Sequence, residues 1–149
     1  MNVLIDTNVV LDILLCRTEF IDNSRMVLEL AEKKKFTGYI SASAVTDIYY
    51  ISQKKMGKKT AKEAVKHLMH IFYPATVTDN NIYQALNMDW EDFEDCVQFV
   101  VGESFSVDYI VSRNAGDFAS GSISAITPEQ FIKIVLDTNL TTVAPDTIN

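Results

Sequence analysis

Val3-Leu4-Ile5 is an apolar run without a polar break, closed by Asp6, as expected of a strand buried on both faces. Val9 to Leu15, interrupted only by Asp12, reads as a helix packed back onto that strand. Phe20 to Lys35 places Ile21, Met26, Val27, Leu28, Leu30 and Ala31 at helical spacing, with Lys33-Lys34-Lys35 suiting its C-terminal end. Gly38-Tyr39-Ile40 is a second strand. Ser41 or Ser43 then caps a helix through Ile51, which Gly57 breaks. Thr60 is the expected cap of the next helix, which runs to about Phe72 and is stopped by Pro74. Ala75-Thr76-Val77 is a third strand, and Asp79 caps a helix containing Ile82, Ala85 and Leu86. A further helix runs from Asp92 to Phe105. Strands at Asp108–Ser112 and Ile123–Ile126 follow, and Pro128 starts a closing helix.

Strands alternating with helices imply βαβ units, right-handed crossovers and a parallel sheet of four to five strands, an α/β fold. At 149 residues the chain suits one domain, taken as 1–135, with a loose tail over 136–149. Leu136-Asp137-Thr138-Asn139 echoes Ile5-Asp6-Thr7-Asn8, but the flanking elements are not copied, so no repeat is inferred.

Charge changes the picture. The net charge is −7, which disfavours a nucleic-acid binder until its distribution is examined. Lys54, Lys55, Lys58, Lys59, Lys62 and Lys66 face one acid, Glu63, between Ile48 and Thr78. That stretch carries +5 and the remainder −12. Such asymmetry suits a charged partner as well as a solvated helix face. Two cysteines, Cys16 and Cys96, form no metal-type pair and are expected to be reduced and partly buried. Two histidines, His67 and His70, argue against a zinc site. No apolar run is long enough for a membrane span and the first residues lack a signal segment, so a cytoplasmic protein is expected.

The acids carry the candidate chemistry. Asp6 stands at the carboxyl end of a buried strand, the edge where open parallel sheets place their ligands. Asp89 to Asp95 holds five acids in seven residues. A helix start explains Asp92, while Asp95 can share a face with Asp92 or Glu91. Asp47 lies within a helix, ordinarily a place for an exposed acid. Asn114-Ala115-Gly116-Asp117 reads as a turn, yet it follows a strand and brings Asp117 to the same edge as Asp6. Tyr49, Tyr50 and Trp90 could stack on bases, although packing explains each.

Taken in order, Leu4-Ile5-Asp6-Thr7-Asn8, the acid in Ser43–Tyr50, Asp92-Phe93-Glu94-Asp95 and Tyr109–Asn114 with Asp117-Phe118 resemble a PIN-domain protein, similar to the ribonuclease toxins of VapC-type toxin–antitoxin pairs. The resemblance covers roughly residues 1–135. It implies a three-layer α/β/α sandwich and a metal-dependent endoribonuclease, with a small antitoxin partner and a homodimer. It places Asp6, Asp47, Asp95 and Asp117 on the acidic catalytic positions. Asp92 lies close enough to add to the site or simply to cap the helix, and the metal is expected on Asp6, Asp92, Asp95 and Asp117. Thr7, Asn8 and Asn114 support carboxylates or phosphate. Three departures stand out: Asp47 where Glu is usual, Cys96 where Ala is usual, and Ser112 where Thr is usual.

Carboxylates about 4 Å apart repel by on the order of 4 kcal/mol at an effective dielectric near 20. A divalent cation offsets this, and oxygen-only ligands select Mg²⁺ or Mn²⁺, which activate water and stabilise a leaving oxygen. Lys54, Lys55, Lys58, Lys59 and Lys62 would then hold the RNA backbone. The competing readings are a catalytically weak PIN-fold module that binds RNA or protein, and a phosphatase or receiver-type domain using Asp6. The latter lacks a further acid or lysine in the required order.

Overall fold

The computed structural model describes residues 1–141. Five strands form one all-parallel sheet, β1 Asn2–Ile5, β2 Thr37–Ser41, β3 Tyr73–Ala75, β4 Tyr109–Val111 and β5 Ser124–Ile126, in the order β3-β2-β1-β4-β5. Val3, Leu4 and Ile5 are fully buried. Side chains alternate across a strand. Val3 and Ile5 therefore pack with α1 Thr7–Leu14, α2 Ile21–Glu32, α3 Ala42–Met56, α4 Lys58–Ile71 and α7 Pro128–Thr141. Leu4 and Ile110 face the other way, onto α5 Asp79–Leu86 and α6 Phe93–Ser104. The three-layer α/β/α sandwich follows from this alternation.

The order reverses beside β1: the chain steps from β1 out to β2 and β3, then returns to β4 on the other side. Parallel strands deliver all their carboxyl ends to one edge, and a crevice opens there where the order reverses. Asp6 follows β1 and opens onto that crevice, and Ser112, which follows β4, reaches Asp6 from beneath it.

Several element boundaries differ from the sequence expectations. Ser41, not Ser43, caps α3, its hydroxyl accepting from the Ala44 N–H. Gly57, at φ +82°, ends α3 and directly precedes α4, leaving Thr60 inside that helix. Glycine takes this left-handed conformation without a Cβ clash. The third strand is Tyr73–Ala75 rather than Ala75–Val77. Pro74 lies within it because β3 is an edge strand, where a missing N–H leaves no ladder bond unmade. Thr78 rather than Asp79 caps α5, in a reciprocal box with Asn81. The expected tail begins too early, since α7 continues to Thr141 and includes the Leu136–Asn139 echo. Residues 142–149 of that tail lie outside the described residues.

Asp12, missed by the sequence reading, is fully buried in the first helix. Arg113 Nε approaches it at 2.8 Å, outside directed hydrogen-bond geometry, and Arg17 donates to it at 3.3 Å. Arg113 also lies 4.0 Å over the Phe20 ring. This ion pair ties α1 to the segment after β4. Removing one partner of a buried pair leaves the other charge uncompensated. Asp12→Ala is expected to lower stability by about 3 kcal/mol, measured by urea denaturation.

Candidate functional site

Asp6 is 4 % exposed and occupies the N-cap position of α1, yet its side chain caps nothing. Both oxygens are committed elsewhere. Gln98 Nε2 donates to Oδ1 at 3.0 Å and Ser112 Oγ donates to Oδ2 at 2.8 Å. The Ser112 oxygen in turn accepts from the Asn114 N–H at 3.0 Å. Hydrogen bonds of this kind hold a carboxylate in one orientation and offset its burial.

Around Asp6 opens a cavity of about 480 Å³ lined by Asp6, Thr7, Asn8, Asp47, Asp92, Glu94, Asp95, Asn114 and Asp117, with Leu11 and Ile51 as apolar wall. Every acid placed by sequence at positions 6, 47, 92, 95 and 117 is in it, as are Thr7, Asn8 and Asn114. Asp47 is half-buried rather than fully exposed, because α3 turns that face toward the crevice. Asp92 does two things: it lines the cavity and caps α6 by accepting from the Asp95 N–H at 2.9 Å. Glu91 does not line the cavity; Glu94, which the sequence reading passed over, does.

The electrostatic consequence is a crowd of like charges. Burial pushes the Asp95 carboxyl up to about 7, reinforced by the charges of Asp6, Asp92, Asp117 and Glu94. Glu94 is likewise raised, first by burial, then by Asp47, Asp6 and Asp92, and by a hydrogen bond with Asp47. Among the described residues, no three acid, imidazole or thiol side chains close on one point as a ready-made metal cage. The lining donors are all oxygens and amides, with no His or Cys.

The lysines stand apart. Lys54 and Lys55 occupy the last turn of α3, and Lys58, Lys59 and Lys62 the outer face of α4, all exposed and none lining the acidic cavity. Lys55 Nζ hydrogen-bonds the Leu15 carbonyl. Lys62 and Lys66 border a separate hollow floored by Tyr49, Val65 and Met69. Trp90 is not a free platform, for it stacks on Phe99 at 5.0 Å and meets Phe118 edge-on. Tyr50 is 61 % exposed. Both cysteines are free, Cys96 buried and Cys16 exposed rather than partly buried.

A family model described as a PIN domain matches residues 2–116. The chain belongs to the PIN domain family. Solved structures share its fold at low sequence identity. This PIN domain superposes on the VapBC2 complex from Rickettsia felis bound to promoter DNA with TM-score 0.64 and 13 % identity, covering 85 % of this chain and 98 % of that one. VapC20 of Mycobacterium tuberculosis, a sarcin–ricin loop cleaving toxin, gives TM-score 0.64 and 15 % identity, covering 82 % and 97 %. A Klebsiella pneumoniae toxin–antitoxin complex gives 0.61 and 18 %, covering 85 % and 97 %. No individually curated protein sequence matches the chain. No helix among the described residues is long and apolar enough to cross a membrane.

Gln98 and Ser112 carry no role in the sequence reading. Gln98 left a signal, as the one strongly polar side chain inside Cys96–Val101. Asp12 left the same signal inside Val9–Leu15.

The raised Asp95 carboxyl binds its proton more tightly folded than unfolded. Its stabilising contribution is complete below about 3.8 and is lost as pH rises to about 7. Metal-free protein is therefore expected to melt at lower temperature at pH 8 than at pH 5, and Asp95→Asn to reduce that difference, as read by calorimetry.

Proposed function

We propose that this PIN domain is a divalent-metal-dependent endoribonuclease acting as the toxin of a toxin–antitoxin pair. The gathering of Asp6, Asp47, Asp95 and Asp117 around one crevice, from four separate parts of the chain, carries the reading. The crowded carboxylates fit a cation. Burial raises Asp95 and its acidic neighbours raise it further, and positive charge between them would offset both costs. An open, oxygen-lined hollow suits Mg²⁺ or Mn²⁺, which bind through one or two carboxylates and keep several waters.

In this reading Asp6 and Asp95 are the principal holders of the ion, with Asp117 and Asp92 around a second metal or its waters. Asp47, with Glu94 hydrogen-bonded to it, bridges or orients water. Bound there, the metal supplies Lewis-acid activation of water and neutralises charge at the scissile phosphate. Thr7 is 7 % exposed and its Oγ1 has no hydrogen-bond partner among the described residues. In this reading that hydroxyl, with the Asn8 and Asn114 amides, would bond a phosphate oxygen. Leu11 and Ile51 line the wall and limit water. Lys54, Lys55, Lys58, Lys59 and Lys62 hold the RNA backbone beyond the crevice, where phosphate contacts add affinity without sequence choice. A small antitoxin as partner is supported by neighbours of this fold that are toxin–antitoxin complexes.

Cleavage of a single-stranded RNA is the direct test. Mn²⁺ or Mg²⁺ is expected to switch it on and chelation to switch it off. Asp6→Asn and Asp95→Asn are each expected to reduce the rate at least 100-fold, in the range seen when a principal electrostatic group is removed. RNA bound with metal present but left intact would favour the non-catalytic module instead.

The lysine assignment has its own test. Lys54→Ala with Lys58→Ala is expected to weaken RNA binding evenly across sequences. The salt dependence, log K against log salt, is expected to become shallower by about 1 per lysine removed. An unchanged slope in filter binding would remove these lysines from the interface.

A further inference from the structure

We infer that Gln98 is a positioning residue that fixes the Asp6 carboxylate against Asp95, and that it sets how tightly the cavity holds a divalent cation. The inference rests on the metal reading above and adds to it a consequence of the Gln98 hydrogen bond for metal affinity. Gln98 is 1 % exposed and makes one directed bond, Nε2 to Asp6 Oδ1 at 3.0 Å. Its Oε1 is buried and has no partner among the described residues. An amide whose other end is left unpaired is held there for the bond it does make, since an orphaned buried acceptor carries a desolvation cost.

Its position explains what the bond achieves. Gln98 lies three residues after Asp95 on α6, so both project from the same side of the helix. Asp6 lies at the end of β1, 92 residues away in the chain. The Gln98–Asp6 bond thus links the strand carrying one acid to the helix carrying the other. From the opposite side Ser112 holds Oδ2 at 2.8 Å. Two donors on two oxygens leave the carboxylate no free rotation, and each is a neutral group that adds no charge to an already crowded site. Outer groups that orient a metal-binding carboxylate are typically worth a 10- to 100-fold change in metal affinity.

Calorimetric titration of the full chain with Mn²⁺ tests this, using Gln98→Met, which keeps the volume and removes the donor. Ser104→Ala is the control. It deletes a hydroxyl near the end of the same helix that accepts from Asn81 at 2.9 Å and donates to the Val100 carbonyl at 3.1 Å. Both variants are expected to melt at lower temperature, but only Gln98→Met to bind Mn²⁺ about 10-fold more weakly. Should Gln98→Met not fold, Gln98→Asn withdraws the amide by one methylene and is expected to move affinity in the same direction. Wild-type affinity in the folded Gln98 variant overturns the inference. So does a loss that Ser104→Ala matches, which would mark general loosening of α6. A wild-type chain that binds no Mn²⁺ overturns the metal reading itself, and the clamp with it.

Discussion

A buried carboxylate at the end of a central strand has to be compensated, and the structure around Asp6 is arranged to do so. Its 4 % exposure removes most of its hydration, so the neutral donors of Gln98 and Ser112 take the place of water on each oxygen. Those donors come from α6 and from the segment after β4. Meeting the need of one side chain therefore brings together the elements that carry Asp95, Asn114 and Asp117. The sheet supplies the geometry, since parallel strands present all their carboxyl ends to one edge.

The opposite side of α1 is secured by a second buried charge. Asp12, with Arg113 at 2.8 Å and Arg17 at 3.3 Å, holds the helix that follows Asp6 to the residue that follows Ser112. Ion pairs of this sort do not by themselves make a fold more stable than apolar packing would. Their value here is directional: a misplaced α1 would leave Asp12 charged and alone. The backbone bearing the cavity residues is thus held by hydrogen bonds at Asp6 and by a buried ion pair at Asp12.

Against this order stands an accumulated repulsion. Asp95, pushed up to about 7, is balanced near neutrality between two protonation states because burial and four neighbouring acids all disfavour its charge. Functional sites are where such perturbation collects, although structural networks also produce it. The positive stretch between Lys54 and Lys66 lies on α3 and α4, outside the cavity, which separates an anion-attracting surface from an anion-repelling crevice.

The sequence by itself determined the alternating architecture and the sheet edge to which Asp6 and Asp117 come. A strand covered on both faces must be unbroken apolar, as Val3-Leu4-Ile5 is, and βαβ connection obliges Asp6 and the Asn114–Asp117 turn to share an edge. Local turn chemistry was less legible: Gly57 took the role assigned to Thr60, and Pro74 entered an edge strand, because what surrounds a residue decides whether a cap or a breaker acts as one. Only the tertiary structure decided which acids of the Asp89–Asp95 cluster turn inward, admitting Glu94 and excluding Glu91. It alone showed that Gln98 and Asp12 are partnered, and that Trp90 is packed against Phe99. The reason is physical: these outcomes depend on how each helix is rotated about its axis, which is set by packing between residues up to 106 positions apart rather than by any local pattern.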